Sequence, residues 1–343
     1  MKAIKASLKG LKPYQPNQQS YRIKLDANES KNYLFSSGID LKQLQVNMYP
    51  DSNSTELRIA LGQFVGINPE RIIAGNGSSE MIELVLKTYV DKGDAVLSFE
   101  PSFSMYSIYT KIHNGNYIAV HTDDTFKQDI DQMIEASKTY DPKIIFVCSP
   151  NNPTGRLIPN ADILRLVQQT EAMVCVDEAY IEFTNVQPSL IDQVDKYPNL
   201  IVLRTLSKAF GLAGIRLGFL VSNSTVVETL NRVKSPYNLN VLTQQVGILA
   251  LSQTHLMRAY TSKIMSERTN VFNQLSKLNL TVYQSEANFI FFKSTDPQLF
   301  NKLLKKSILI RAFTGPLENY YRVSIGDRLE NEKFIEALKE ILI

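Results

Sequence analysis

A lysine that stands between two hydroxyls and ahead of an arginine is the most informative arrangement in this chain. The stretch is Thr205-Leu-Ser-Lys-Ala-Phe-Gly-Leu-Ala-Gly-Ile-Arg216, with the amine at Lys208 and the nearest hydroxyls at Thr205 and Ser207. It directly follows the apolar run at 201–203, which is typical of the end of a buried strand. A lysine in such a place is unfavourable unless its amine is paired or used in chemistry.

These side chains suit one kind of cofactor. A lysine amine can form an imine with a carbonyl compound and hold it covalently. Hydroxyls and a guanidinium, here that of Arg216, suit a phosphate monoester. Lysine, hydroxyls and arginine together predict that the chain binds pyridoxal phosphate.

The elements that position this site alternate through the middle of the chain. Short apolar runs predict strands at 95–99, 117–120, 144–147, 173–176, 201–203 and 217–221. A helix is predicted over 78–87, because hydroxyls and an acidic residue precede apolar positions at helical spacing. This alternation predicts an α/β domain with a mainly parallel sheet between helices.

The last third of the chain has a different pattern. Helices are predicted near 242–251, 255–278, 297–306 and 329–342, and strands near 288–292, 309–312 and 321–325. This α+β pattern predicts a second, smaller domain. We divide the chain into an N-terminal arm with part of the small domain (1–40), a large cofactor-binding domain (41–235) and a small C-terminal domain (236–343), because Pro236 interrupts a helical pattern.

A carboxylate and a phenol follow the predicted strand at 173–176. In open α/β sheets, ligands bind beyond such strand ends. A carboxylate there can keep a pyridine nitrogen protonated, so that the ring accepts electrons. We give this role to Asp177, with Glu178 as second choice, and Tyr180 can hydrogen-bond the phenolic oxygen of the cofactor. The ordinary alternative for an Asp-Glu pair is a helix cap or a surface pair.

Two polar turns supply further groups. Ser149-Pro-Asn-Asn-Pro-Thr-Gly155 follows a predicted strand, and the amide of Asn152 can donate to the same phenolic oxygen. Gly75-Asn-Gly-Ser-Ser-Glu80 leads into the predicted helix, whose first N–H groups, with Ser78 and Ser79, make a phosphate seat. Each motif alone is also typical of an ordinary turn.

An aromatic residue follows the predicted strand at 95–99, in the run Pro101-Ser-Phe-Ser-Met-Tyr106. Its face can stack on the cofactor ring, with Phe103 as first choice and Tyr106 as second. Taken alone, either residue fits a core position equally well.

The order of these motifs along the chain resembles that of the fold-type-I pyridoxal-phosphate aminotransferases. Within that group the chain is most similar to the histidinol-phosphate aminotransferases, through Leu11-Lys-Pro-Tyr-Gln15, Leu25-Asp-Ala-Asn-Glu29 and Asn47-Met-Tyr-Pro-Asp51. The C-terminal Arg311 and the run Tyr321-Arg-Val-Ser-Ile-Gly326 add to the similarity. One departure is Phe103, where the relatives more often have tyrosine.

The resemblance implies roles for individual residues. Lys208 holds the cofactor aldehyde and later acts as the base, with Asp177 and Tyr180 beside it in the catalytic set. The other cofactor contacts implied are Ser78, Ser79, Phe103, Asn152, Thr205, Ser207, Arg216 and, from a neighbouring subunit, Tyr49. The substrate contacts implied are Tyr14, Asn28, Arg311 and Arg322.

The resemblance also implies a reaction: L-histidinol phosphate and 2-oxoglutarate give imidazole acetol phosphate and glutamate, a step of histidine biosynthesis. A homodimer with shared active sites is implied as well. Two other functions on the same cofactor stay open, an aromatic amino-acid aminotransferase and a threonine-phosphate decarboxylase. The sequence does not show which bond of the substrate is cleaved.

Composition excludes several other classes. The 343 residues carry a formal charge of only +3, too little to argue for nucleic-acid or membrane binding. Met1-Lys-Ala-Ile-Lys5 lacks an apolar signal region, and no apolar run reaches the ~20 residues of a membrane span, so we expect a cytoplasmic protein. The three histidines show no metal-ligand spacing, and no metal is expected. We do not expect a Rossmann dehydrogenase, because the chain lacks the glycine motif of that class. We do not expect a regulatory cofactor-binding protein either, because the first motif begins near Leu11 and leaves little room for a DNA-binding region before it.

Overall fold

Two β-sheets organise the protein, seen in a computed structural model that describes residues 5–8, 10–11, 17–34 and 44–342. The larger sheet has seven strands and the smaller has five. Most of the residues predicted to form the site lie between the two sheets.

The larger sheet is parallel except for one strand. Its strands are β2 (Ile72–Asn76), β3 (Ala95–Glu100), β4 (Asn116–His121), β5 (Ile144–Cys148), β6 (Met173–Asp177), β7 (Leu200–Thr205) and β8 (Leu217–Val221). Their order is β2-β8-β7-β6-β5-β3-β4, and β8 runs antiparallel to both neighbours. The six strands predicted from apolar runs are confirmed, and β2 is an addition.

Helices cover both faces of this sheet. The helices are α1 (Thr55–Val65), α2 (Gly77–Tyr89), α3 (Met105–Ile112), α4 (Ile130–Tyr140), α5 (Asn160–Gln168) and α6 (Ser224–Asn231). Alternate residues of β5 belong to two separate apolar cores: Ile145 and Val147 pack with α1, α4 and α5, whereas Ile144 and Phe146 pack with α2 and α6. This burial on both sides explains why the strands are continuous apolar runs.

The smaller sheet joins the two ends of the chain. Its order is β1 (Ile23–Leu25), β11 (Ile308–Ala312), β12 (Tyr320–Ser324), β10 (Phe289–Ser294) and β9 (Leu280–Val282). Strand β1 pairs in parallel with β11, and the other pairs are antiparallel. The helices of this part are α7 (Val241–Leu251), α8 (Thr254–Leu275), α9 (Leu299–Lys305) and α10 (Arg328–Leu342).

The expected fold class, a mainly parallel sheet between helices with a smaller α+β unit, is confirmed. The division at 235/236 remains a prediction. It lies in the turn between α6 and α7, yet α7 packs on the larger unit, since a Cβ at Gly247 would be 2.5 Å from Leu217 and 2.9 Å from Leu57. The segments that follow β2, β3, β5, β6 and β7 carry the predicted site.

Candidate active site

The amine of Lys208 lies in a closed, positively charged environment. Lys208 follows β7, and its Nζ donates to the carbonyl oxygen of Ala27 at 3.2 Å and lies 5.8 Å from the ring centroid of Tyr180. Burial, with help from the Arg322 and Arg216 guanidinium groups, lowers the pKa of the amine to about 8, against the opposing pull of Glu29. A lysine with this pKa is partly neutral near pH 7.5, and the neutral amine is the nucleophile.

Asp177 ends β6 as a buried carboxylate held at both oxygens. The hydroxyl of Tyr106 donates to Oδ2 at 2.8 Å, and the backbone N–H of Ala179 donates to Oδ1 at 3.1 Å. Burial raises the pKa of Asp177, and these two hydrogen bonds and the charge of Lys208 oppose that rise. The carboxylate can therefore pair with a cationic ring nitrogen, which would favour its charged form further.

The second choice for that role, Glu178, faces another part of the protein. Its Oε1 accepts from the N–H of Leu190 at 2.8 Å, and its Oε2 accepts from the Ser189 hydroxyl at 2.5 Å and lies 3.5 Å from Nη1 of Arg204. Arg204 also bonds Glu182, with 2.5 Å between Nη2 and Oε1. Glu178 therefore belongs to a buried ion cluster with Arg204 and Glu182. Asp177 remains as the candidate to pair with the ring nitrogen.

Four residues far apart in sequence meet above Asp177. Nδ2 of Asn28 donates to the hydroxyl oxygen of Tyr180 at 3.0 Å, so the O–H of that phenol is left to donate. Nη1 of Arg322 donates to Oδ1 of Asn152 at 2.5 Å, so the amide N–H₂ end of Asn152 is its donor towards a ligand. Burial raises the pKa of Tyr180 to about 12, which keeps its proton in place.

The glycine-rich turn after β2 and the arginine before β8 come into contact. Gly77 begins α2 with φ +75°, and a Cβ there would lie 2.5 Å from Nη2 of Arg216. Nη1 of Arg216 in turn donates to the Ser207 hydroxyl at 3.4 Å. Only glycine fits between helix and guanidinium, and the result is a cradle of N–H donors at a helix N-terminus.

The hydroxyls predicted around this cradle differ in their bonding. Ser78 and Ser79 lie in the first turn of α2, and Ser207 stands beside Arg216. Thr205 has its single O–H directed to the carbonyl oxygen of Leu217 at 3.3 Å, while its oxygen accepts the N–H of Ser207 at 3.1 Å. Thr205 thus stabilises the loop that carries Lys208, and the hydroxyl of Ser207 is the one that contacts Arg216.

The two candidates for ring stacking separate clearly. Tyr106 is fully buried, lies parallel to Phe146 with 4.6 Å between ring centroids, and gives its hydroxyl to Asp177. It has no open face for a cofactor. Phe103 is half-buried and packs edge-on against Tyr106 at 5.6 Å, so it is the residue with a face available.

The predicted substrate residues lie on the small sheet and on the segment that follows β1. Arg311 and Arg322 are direct register partners on β11 and β12. Asn28 is buried with φ +54°, and its N–H donates to the Ser324 hydroxyl at 2.9 Å. Tyr14 lies outside the described residues. Tyr49 is 82% exposed and stacks on Tyr237, with 4.7 Å between the ring centroids.

Sequence reasoning missed the bond from Tyr106 to Asp177, the Ala27 carbonyl and the Arg204 cluster. The first two depend on contacts between distant segments and left no local signal. Arg204 did leave one, because a charged residue inside an otherwise apolar strand implies a buried partner.

The donor set fits pyridoxal phosphate. A Cβ at Gly77 would displace the end of the Arg216 side chain, so glycine lets this guanidinium lie against the N-terminus of α2, where a phosphate would be bound. Lys208 offers an amine for the cofactor aldehyde, and Asp177 offers a carboxylate for the ring nitrogen. Tyr180 and Asn152 offer two hydrogen-bond donors for the phenolic oxygen.

Comparison with known proteins places the chain among the aminotransferases. The family model described as aminotransferase class I and II matches residues 23–338. The chain is 40% identical to the histidinol-phosphate aminotransferase of Caldanaerobacter subterraneus subsp. tengcongensis, covering 99% of this chain and 98% of that protein. It is 37% identical to the enzyme of the same name from Clostridium novyi, covering 98% and 96%.

Solved structures agree with this fold. The histidinol-phosphate aminotransferase of Clostridium acetobutylicum is 27% identical and superposes with a TM-score of 0.85 over 93% of this chain and 98% of that one. The enzyme of Sinorhizobium meliloti, solved in complex with pyridoxal-5'-phosphate, is 21% identical with a TM-score of 0.89 over 100% and 98%.

Proposed function

This chain belongs to the aminotransferase class I and II family and, within it, to the histidinol-phosphate aminotransferases, and from that membership we propose the reaction that it catalyses. The protein is a pyridoxal-phosphate-dependent aminotransferase that moves the amino group of L-histidinol phosphate to 2-oxoglutarate. The products are imidazole acetol phosphate and glutamate, in histidine biosynthesis. Within the described residues no helix is long and apolar enough to cross a membrane, and we assign the enzyme to the cytoplasm.

The choice of amino donor is supported above all by the register pair Arg311–Arg322. Register partners lie on one face of the sheet, where like charges are unfavourable. The Arg322 guanidinium donates to Asn152 and to the carbonyl oxygen of Asp26, and that of Arg311 lies 5.9 Å from the centroid of the Phe313 ring. A phosphate ester carries up to two negative charges and accepts bidentate bonds, so it matches two arginines more fully than the single carboxylate of an aromatic amino acid does. The same fork can then receive the carboxylate of 2-oxoglutarate in the second half of a ping-pong cycle.

The residues divide the chemistry among themselves. Pyridoxal phosphate supplies an electron sink for the carbanion that forms when the donor loses its α-proton. The amine of Lys208 would hold the cofactor aldehyde and would serve as the base for the α-proton of the donor, for which a pKa of about 8 is well matched. Asp177 keeps the ring nitrogen protonated, and Tyr180 and Asn152 donate to the phenolic oxygen.

Other residues bind and orient. Phe103 covers one face of the ring, and Arg322, Arg311, Tyr14 and Asn28 hold the substrate. The phosphate of the cofactor would be held by Ser78, Ser79, Ser207 and Arg216, and Thr205 would position the loop that carries Ser207 and Lys208.

The active unit of this proposal is a homodimer in which Tyr49 reaches the phosphate of the neighbouring site. Tyr49 has 82% of its surface exposed, and several exposed apolar residues together, unlike a single one, are typical of an interaction surface. Apolar neighbours on the same segment, on α1 and on α7 are exposed as well: Val46, Met48, Ile59, Leu242 and Leu249. A second copy of the chain is the occupant that would cover this surface.

A single-turnover test distinguishes the donors. Holoprotein is mixed with histidinol phosphate, phenylalanine, tyrosine or threonine phosphate, and conversion of the cofactor to its amine form is followed by absorbance. We expect histidinol phosphate to react faster than the others by more than about tenfold. A preference for phenylalanine would overturn the substrate, and release of CO₂ from threonine phosphate would replace transamination by decarboxylation.

A further inference from the structure

The hydroxyl of Tyr106 is the one side-chain donor that the structure gives to Asp177. The Oη–Oδ2 distance is 2.8 Å, and both residues are buried, although 71 positions separate them in sequence. The other oxygen of Asp177 receives the N–H of Ala179. A carboxylate has about four acceptor positions, so room remains for a third donor from a ligand.

The phenol of Tyr106 is fixed in place by its surroundings. Its ring lies parallel to Phe146, with an interplanar angle of 3° and 4.6 Å between centroids, and Phe103 contacts it edge-on. The hydroxyl of Thr110 donates to the carbonyl oxygen of Tyr106 at 2.7 Å, one turn along α3. The Tyr106 hydroxyl lies within reach of both Asp177 and the Cys148 thiol. The thiol donates to the carbonyl oxygen of Pro150 at 3.4 Å, and a carboxylate accepts far more strongly than sulfur does, so the phenol proton is directed towards Asp177.

The hydrogen bond from Tyr106 affects whether the buried carboxyl group of Asp177 is charged. Complete burial favours the neutral acid and raises the pKa of Asp177, whereas the bond from Tyr106 favours the charged form. The same burial raises the pKa of Tyr106 well above its usual value, so the phenol stays a donor. The nearby thiol of Cys148 has a raised pKa too and adds no charge of its own. A neutral Asp177 would be unable to keep a ring nitrogen protonated.

We propose that Tyr106 is a positioning residue that keeps Asp177 charged and aimed at the ring nitrogen of the cofactor. The inference rests on the proposed function for the identity of the cofactor. Tyr106 contacts neither substrate nor cofactor and acts through Asp177. Because Phe103 packs on the same phenol ring, Tyr106 also connects the group that covers the cofactor ring with the group that binds its nitrogen.

The test removes the hydroxyl in two backgrounds. Tyr106→Phe keeps the ring against Phe146, so folding, followed by circular dichroism, should change little. In the wild-type background we expect the dissociation constant for pyridoxal phosphate, measured by reconstitution of apoprotein, to rise roughly 10- to 100-fold, the range for a lost hydrogen bond to a charged group. In an Asp177→Ala background the same change should alter that constant less than about twofold, because its target is gone. Equal losses in both backgrounds would overturn the proposal.

Two controls separate this role from packing. Tyr117→Phe removes another partly buried hydroxyl, on β4, and should leave cofactor affinity unchanged. Phe146→Leu loosens the stack but keeps the hydroxyl, so it should lower the melting temperature and leave the affinity of the folded fraction within about threefold of wild type. An affinity loss in Phe146→Leu as large as that in Tyr106→Phe would make the role purely structural. If wild-type protein binds the cofactor but does not react with histidinol phosphate, the proposed function fails and these affinity measurements still decide the role of Tyr106.

Discussion

Arg311 and Arg322 face each other directly across the antiparallel pair β11–β12. Like charges in such a position destabilise a sheet unless an anion lies between them. This register pair is the basis of the anion-binding role that we propose for the small sheet.

Replacing Arg311 by glutamine should separate phosphate recognition from the rest of binding. We expect kcat/KM for histidinol phosphate to fall about 10- to 100-fold, because one charge-assisted hydrogen bond is lost. The value for L-histidinol, which has no phosphate, should change less than about threefold. Arg328→Gln, at a side chain 80% exposed, is the matched control. Equal losses on the two donors would remove Arg311 from the phosphate site.

Gly77→Ala should damage the phosphate cradle. The new Cβ would lie 2.5 Å from Nη2 of Arg216, at a backbone φ of +75°. Gly66→Ala has the same φ of +75° and nothing within 4 Å, so it reports backbone strain alone, about 1–2 kcal/mol. We expect cofactor affinity to fall at least about tenfold only in Gly77→Ala. Similar affinities in the two variants would place the phosphate elsewhere.

Capture of the cofactor by apoprotein should depend on pH through Lys208. With a pKa of about 8, the amine is protonated below that pH and cannot attack an aldehyde. The rate of reconstitution should therefore rise about tenfold per unit below pH 8 and level off above it. Stopped-flow absorbance between pH 6 and 10.5 measures this rate. A rate that still rises steeply above pH 9 would mean that the amine has an ordinary pKa.

The same amine should affect stability in a definite direction. Its folded pKa of about 8 is below the usual value of 10.5, so between these values the unfolded chain binds more protons. Apoprotein should accordingly gain stability as pH rises from 8 to 10.5, by at most about 3 kcal/mol. Lys208→Met should lack this gain in urea titrations and should have no turnover. A parallel pH dependence of the two proteins would contradict the shift.

Asp177 and Glu178 should give opposite phenotypes despite being neighbours. Asp177→Asn removes the charge beside Lys208, and we expect the first half-reaction to slow by about 100-fold or more with little change in melting temperature. Glu178→Gln weakens the cluster with Arg204, and we expect a loss of about 1–3 kcal/mol in unfolding free energy with normal turnover of the folded protein. The reverse pattern would exchange their roles.

Mixed dimers test whether Tyr49 acts across a subunit interface. Lys208→Ala and Tyr49→Ala proteins should each be inactive or weak alone. Unfolded and refolded together, they form hybrids with one intact site, so a 1:1 mixture should recover about a quarter of wild-type activity. Light scattering should give the mass of two chains. No recovery, or a monomer with full activity, would exclude shared sites.

Local patterns predicted the elements of the larger sheet well. Strands such as β5 are covered on both faces, which forces an unbroken apolar run that is visible without any partner. Strand β2 was missed because its last two residues, Gly75 and Asn76, were interpreted as part of the polar turn that leads into α2. The reversed direction of β8 depends on where the chain returns, and no local pattern encodes it.

The residues of the site that stand in local motifs could be predicted, whereas their orientation could not. Lys208 and Asp177 stand in local motifs at strand ends, where the fold class itself indicates ligands. The orientation of each group comes from elsewhere: Asn28 reaches Tyr180 across 152 positions, and Arg322 reaches Asn152 across 170. The choice between Asp177 and Glu178, or between Phe103 and Tyr106, depends on which way neighbouring side chains point, which only the packed interior determines.

The pairing of Ile23 with Ile308 has a consequence for biosynthesis. A ribosome delivers residues in order, so the segment that begins at β1 and presents Ala27 to Lys208 has no sheet to join until β11 has left the exit tunnel. The larger sheet can form on the nascent chain long before that moment. The contact of Ala27 with Lys208 therefore depends on residues that are synthesised after the whole of the larger sheet.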